Sequence, residues 1–256
     1  MNASPQDFAL AQDLRARYER DGFVFPLRVL PRSEAVACRA ALEEAEALAQ
    51  DRDARSLIHG YAHMVVPRID DLVRDPRILD PVSAILGPDL LLWAANFFIK
   101  EPNTSDYVSW HQDLNYWGLD GEHEVTAWLA LSDATRESGA MRFIPGSHRS
   151  RVEHEDTFAK ANLLSRGQEI AVEVDESVAA DIVLEAGEMS LHHGLMFHSS
   201  APNRSTDRRI GLALRYIRPE MRQVAGTHDY ACLVRGADPY EHFQQTARPT
   251  RCLDPA

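Results

Sequence analysis

The sequence predicts a mainly β protein with flanking helices, its core a double-stranded β-helix (a jelly roll of the cupin-like kind). Three observations predict it. The clear helix-forming segments lie before residue 88. Short strand-like runs, separated by Pro, Gly, Asn and Ser turns, follow from 90 to 217. Neither βαβ alternation nor a Gly-x-Gly-x-x-Gly sequence is present, which excludes a dinucleotide-binding fold. Helices first, then many short strands with one long excursion, is the pattern of two packed antiparallel sheets buttressed by helices.

Phe8, Leu10, Leu14 and Tyr18 recur at helical spacing and predict a helix over 5–20 that Asp21-Gly22 stops. Gly22–Leu27 reads as a short strand. Ser33 is the expected N-cap of an Ala/Glu/Leu-rich helix reaching about Gln50. Residues 51–69 are mixed and read as a loop over the site, and Asp75-Pro76 opens a helix that Gly87-Pro88 closes. Leu90–Lys100 is a buried strand; Val108–His111, Val125–Leu131 and Met141–Ile144 follow as further strands. Residues 149–177 form a long charged insertion in which helical and loop character are not separable. Ile182–Leu184, Met189–His192 and Ile210–Ile217 complete the strand set, and a polar, partly irregular tail follows with Phe243 as its anchor. The whole chain, 1–256, is expected to be one domain, with helices over about 5–87, the core over about 88–218 and the tail over 219–256.

With 45% hydrophobic and 26% charged residues, the chain can bury a large core without disulfides or a structural metal. Cys38, Cys232 and Cys252 are odd in number and widely spaced, as expected of free thiols in a reducing compartment. No apolar run reaches membrane-spanning length, and the first residues lack the basic and apolar regions of a signal peptide, so a cytoplasmic protein that does not enter membranes is expected. A net charge of −12 argues against a nucleic-acid partner, although a local basic pocket could still hold a small anion.

Two distant stretches carry the chemistry. Val108–Gly118 contains Trp110-His-Gln-Asp, and Phe197–Arg209 contains His198 and ends on two arginines. His111, Asp113 and His198 together offer two imidazoles and one carboxylate, the ligand set of non-haem Fe(II) oxygenases. If the first stretch is extended, His111 and Asp113 point to one face and Gln112 to the other. His198 is expected where a strand over Gly194–Phe197 enters a turn. Arg209 supplies a planar, permanently charged carboxylate partner, while Arg208 faces the other way.

Four blocks in order, Trp110-His-Gln-Asp-Leu-Asn-Tyr-Trp117, Thr126-Ala-Trp-Leu-Ala-Leu131, Arg142-Phe-Ile-Pro-Gly-Ser-His148 and His198 followed by Arg209, resemble the phytanoyl-CoA dioxygenase family. The resemblance runs from about Gly22 to Arg218. It implies an enzyme using Fe(II), 2-oxoglutarate and O₂, with His111, Asp113 and His198 as iron ligands and no catalytic side chain beyond them. Arg209 would pair with the distal carboxylate of 2-oxoglutarate, Ser200 would assist with its hydroxyl, and Trp128 and Phe97 would line the co-substrate. Asn115, Tyr116 and Trp117 are expected to border the substrate cavity. His192, His193 and His148 stand outside the family's ligand positions and take structural or supporting roles.

Family halogenases replace the carboxylate with a small residue, so Asp113 disfavours halogenation. Hydroxylation of an unactivated C–H bond, with succinate and CO₂ released, is the expected reaction. Desaturation, epoxidation and oxidative ring closure remain open to the same chemistry. The low basic content offers no cradle for the phosphates of coenzyme A, which favours a small metabolite or natural-product intermediate shaped by 51–69, 149–177 and the tail. Two rivals stay in view: a zinc or nickel hydrolase or isomerase using the same ligands, and a barrel that only binds a small molecule. Arg209 speaks against the first and the intact triad against the second.

Overall fold

The structure is a computed structural model describing residues 5–226 and 229–253, with side chains from residue 9 onward. Six helices precede most of the strands: α1 (Pro5–Asp21), then β1 (Phe23–Arg28), α2 (Arg32–Leu48), α3 (Arg52–Gly60), α4 (Ala62–Val65), α5 (Pro67–Leu72) and α6 (Pro76–Leu86). The strands that follow are β2 (Leu90–Lys100), β3 (Val108–His111), β4 (Glu124–Ala130), β5 (Met141–Phe143), β6 (His154–Asp156), β7 (Gln168–Ile170), β8 (Ala180–Ile182), β9 (Glu188–His192), β10 (His198–Ser200), β11 (Arg209–Ile217), β12 (Tyr230–Arg235) and β13 (Gln244–Gln245). Among the described residues no helix is long and apolar enough to cross a membrane.

Seven strands form the larger sheet, in the order β1-β9-β4-β11-β2-β12-β13, and four form the smaller, β3-β10-β5-β8. This is the two-sheet, jelly-roll-like core the sequence predicts. Strand β11 lies at the centre of the larger sheet and all nine of its residues are buried. Its side chains alternate between two environments. Ile210, Leu212, Leu214 and Tyr216 join the apolar cluster shared with Leu42, Ile58, Ile78 and Val82 of the helices. Ala213, one step out of phase, joins Trp128, Met141, Phe143 and Met196 between the two sheets. Burying each leucine of the helical layer contributes roughly 1.5–3 kcal/mol. The face of β11 that carries odd-numbered residues is therefore the one that looks into the space between the sheets.

Several expectations are corrected. The helix expected from Ser33 begins at Arg32 on Pro31, with no side-chain cap bond; the Pro31 carbonyl itself accepts from Glu34 and Ala35. Residues 51–69 are helical rather than a loop, broken into α3, α4 and the start of α5, with the Asp51 side chain capping α3. Leu10 is 70% exposed, whereas Leu14 and Tyr18 are buried; the Phe8 side chain lies outside the described residues. The insertion 149–177 holds the hairpin-like pair β6–β7. The tail adds β12 beside β2, extending the larger sheet, and buries Phe243 against Leu91, Leu119 and Ile217. Cys38 and Cys232 are buried free thiols and Cys252 is a partly buried one.

Candidate metal centre

His198 of β10 pairs with His111 of β3 as its register partner, so two imidazoles start on adjacent strands of the smaller sheet. Their ring centroids lie 3.9 Å apart. Strand β3 ends at His111, and Asp113 opens a 3-10 turn over Asp113–Asn115. The extended His-Gln-Asp stretch expected from the sequence is thus corrected: a turn, held by Leu114 N–H donating to Gly194 O and Tyr116 N–H to Asp113 O, brings the carboxylate back toward the rings. Gln112 is wholly buried between them and clamps the turn, its amide donating to Ser150 O and Leu195 O and its carbonyl accepting from Val152 N–H. His198 also reverses an expectation, since a turn at 194–195 leads by two irregular residues into a strand that begins with the histidine.

One donor atom from each of His111, Asp113 and His198 lies within 4.8 Å of the others. The far nitrogens fix the chemistry. His111 Nδ1 contacts the carbonyl oxygens of Ser109 and His198 at 2.9 and 3.0 Å, and His198 Nδ1 contacts Met196 O at 3.0 Å. Carbonyl oxygens only accept, so each Nδ1 carries the proton and each Nε2 presents a lone pair. His111 Nε2 then faces Asp113 Oδ1 at 3.3 Å, an arrangement that needs a proton or a cation between the two atoms. Burial, with His111 alongside, pulls the His198 imidazole down to about 4 and keeps it neutral. Burial alone would raise the Asp113 carboxyl, but the His111 contact and the Arg215 charge outweigh it and hold the group well below the usual carboxylate range. Two neutral imidazoles and an ionised carboxylate converging on one point fit a divalent cation such as Fe(II).

A narrow slot runs from this point between the sheets, lined by Phe98, Thr126, Trp128, His192, Ser200, Arg209, Ala213 and Arg215 among others. Arg209 is 1% exposed; its Nη1 donates to Gly139 O at 3.3 Å, its Nε has no partner, and its Cζ sits 5.3 Å from the Trp128 ring. Burial lowers its pKa only to about 10, so it is charged at neutral pH. A buried guanidinium with this little compensation is costly unless an anion reaches it. Gly211 makes the stacking geometry feasible: a Cβ there would stand 1.8 Å from Trp128 Cζ2.

Sequence reasoning missed Lys100, which is wholly buried opposite Arg209 on β2. Its Nζ donates to Ser200 Oγ at 2.6 Å, to Ser200 O at 2.9 Å and to Ala201 O, and burial beside Arg209 pulls its pKa down to about 6. It also missed Arg215, which the alternation of β11 puts on the same face as Arg209; a period-two reading of that strand was the available signal. Phe97 turns toward the helical cluster and borders a wider cavity, and its neighbour Phe98 takes the place in the slot. Tyr116 and Trp117 line that wider cavity, which reaches His111 and Asp113. Asn115 does not line it; its amide donates to Val152 O beside His154, supporting the insertion. Residues from 51–69 and 149–177 line the wider cavity, and among the described residues none from the tail does. His192 is buried 5.4 Å from the His198 ring, while His193 and His148 lie together 5.6 Å apart near Gly22.

A family model described as phytanoyl-CoA dioxygenase (PhyH) matches residues 18–211. A probable alpha-ketoglutarate-dependent hypophosphite dioxygenase of Stutzerimonas stutzeri is 29% identical over 173 residues, covering 66% of this chain and 59% of that protein. An ectoine dioxygenase of Bordetella parapertussis is 28% identical over 163 residues, 56% of this chain and 51% of that one. The matches thus span between half and three fifths of these relatives' length. Among solved structures, the apo form of the non-heme monooxygenase ThoJ is 39% identical with a TM-score of 0.83, over 94% of this chain and 90% of that one. CytC3 with Fe(II) and alpha-ketoglutarate, 23% identical with a TM-score of 0.69 over 99% and 96% of the two chains, shares the fold.

Proposed function

Since the chain belongs to the phytanoyl-CoA dioxygenase family, we propose that it is an Fe(II)- and 2-oxoglutarate-dependent dioxygenase that hydroxylates an unactivated C–H bond of a small molecule. The observation that carries this reading is the pairing of three convergent donors, His111, Asp113 and His198, with a buried guanidinium, Arg209, at the end of the same slot.

Iron(II), when bound with 2-oxoglutarate and O₂, supplies the oxidising chemistry, in which one oxygen atom goes to succinate as CO₂ leaves and the other becomes the new hydroxyl group. The protein's part is placement. His111 and His198 offer Nε2 because backbone carbonyls hold their Nδ1 protons. Asp113 contributes the single protein anion, and Gln112 fixes its turn. Arg209 would hold the distal carboxylate of the co-substrate, and Ser200, tied to Lys100, would offer its hydroxyl beside it. Trp128 forms one wall and keeps that ion pair away from water. The substrate enters by the wider cavity past Tyr116 and Trp117.

Anaerobic addition of Fe(II) and 2-oxoglutarate tests the reading. A weak visible charge-transfer band is expected, and its absence at saturating concentrations of both would overturn the assignment.

A further inference from the structure

The cavity that opens onto His111 and Asp113 has a volume of about 960 Å³, and three arginines line it: Arg52, Arg55 and Arg215. In a chain with a net charge of −12, arginines are mostly consumed by carboxylates. Arg28 pairs with Glu185 and Glu188, Arg77 with Glu34 and Asp75, and Arg208 with Glu46 and Glu101. Arg52 and Arg55 differ. They lie three residues apart on α3, exposed at the cavity rim, and neither forms an ion pair among the described residues. His59, one turn further, lines the same wall but is held by Glu46 at 2.7 Å.

Arg215 is the inner member. It is 8% exposed, its Nη1 donates to Asn96 Oδ1, and its Cζ stands 4.9 Å from the Trp117 ring. Its Nε is buried without a partner. Its nearest carboxylate oxygen is Asp113 Oδ2, 3.9 Å away and beyond hydrogen-bond reach, on a group whose other oxygen faces His111. The charge count points the same way. A divalent metal, the Asp113 carboxylate and a doubly charged keto acid leave one negative charge in excess, which Arg209 cancels. Arg215 then remains as a buried cation whose one carboxylate within 4 Å among the described residues, Asp113, is shared with the metal.

We infer that the substrate carries an anionic group, a carboxylate or phosphoryl, that docks between Arg215 at the floor of the cavity and Arg52 and Arg55 at its rim. The inference rests on the dioxygenase reading in taking this cavity as the substrate's. A guanidinium donates to such a group in a fixed fork, and two unpaired charges at the mouth raise the local concentration of anions over an otherwise acidic surface. Tyr116, Trp117 and Phe98 leave an aromatic wall for the body of the molecule.

Calorimetric titration of the anaerobic iron- and 2-oxoglutarate-loaded protein with 3-phenylpropionate, phenylphosphonate, 3-phenylpropionamide and 3-phenylpropylamine tests this, with the charge-transfer band followed in parallel. The carboxylate or phosphonate is expected to bind about tenfold more tightly than the amide, and the stronger of the two names the anion. Arg215→Met is expected to abolish that preference, with the band recorded alongside to show how far the metal site is still loaded. The surface double variant Arg52→Gln/Arg55→Gln, which leaves the core untouched, is expected to weaken anion binding several-fold and flatten its salt dependence. An amide or amine bound as tightly as the carboxylate, or a preference that survives both variants, would overturn the inference. A protein that keeps the anion preference but shows no band would overturn the dioxygenase reading and leave this one standing.

Discussion

Arg209 and Lys100 stand opposite each other on β11 and β2, both wholly buried and neither in an ion pair among the described residues; burial beside Arg209 pulls the Lys100 amine down to about 6, which leaves Arg209 as the cation of the pair at neutral pH. The Arg209 charge is uncompensated whenever the slot holds no anion, and a dicarboxylate bound there would compensate it. Arg209→Met should therefore raise the thermal midpoint of the ligand-free protein and weaken 2-oxoglutarate binding by about a hundredfold or more, the cost of leaving a buried carboxylate unpaired. Thermal melts with and without the keto acid, in both proteins, check the two signs together.

Asp113 and Gln112 should separate metal binding from folding. Asp113→Ala removes one of three donors, so iron stoichiometry and the charge-transfer band should be lost with little loss of stability. Gln112→Ala should weaken rather than abolish the band and lower stability by about 2–4 kcal/mol, because losing its clamp on Ser150, Leu195 and Val152 leaves buried backbone groups unpaired. Metal analysis beside urea unfolding distinguishes these outcomes. Equal loss of iron from both variants would contradict the division of labour.

The architecture was largely legible, and so was the triad, because strand composition and the His-Gln-Asp and His198–Arg209 stretches are local signals. What was not legible depends on geometry that no short pattern encodes. The helices α3, α4 and α5 contain nine, four and six residues, too few to display a helical period. Asp113 sits in a turn whose bond comes from Gly194, eighty-one positions away by residue number (194 − 113). Phe97 and Phe98 are both apolar, so only strand parity against β11 decides which one reaches the slot. Lys100 reads as an ordinary strand end until its partners at Ser200 and Ala201 are seen.

Acid should unfold the metal-free protein early. Burial pulls His63, His193 and His198 down to about 4. Their unfolded counterparts titrate near 6.5, so the unfolded chain takes up protons first and the stability these neutral rings contribute is lost as pH falls from about 6.5 to about 4. Glu124, raised to about 8 by burial, has the opposite sign and loses stability as pH rises from about 4.5 to about 8. Three imidazoles outweigh one carboxyl, so the urea midpoint should drop steadily between pH 6.5 and 4.5. A flat profile over that interval would contradict the buried, neutral assignment.

Gly211→Ala should be more harmful than its position in a regular strand suggests. The added methyl collides with Trp128 and must move the indole that lies against Arg209. A loss of about 1–3 kcal/mol in stability is expected, with weakened 2-oxoglutarate affinity measured by titration of the charge-transfer band. Unchanged affinity would show that the indole is not needed to position the guanidinium.

Strand β11 carries Arg209 and Arg215 on one face, six residues and therefore about 20 Å of extended chain apart. On the readings proposed above, the strand would work as a caliper whose jaws grip two different molecules. Inserting or deleting one residue between them would leave one jaw inside and swing the other into the helical layer, so the gap is set by backbone geometry. Exchanging Arg215 alone would redirect what is gripped there and leave Arg209 in register.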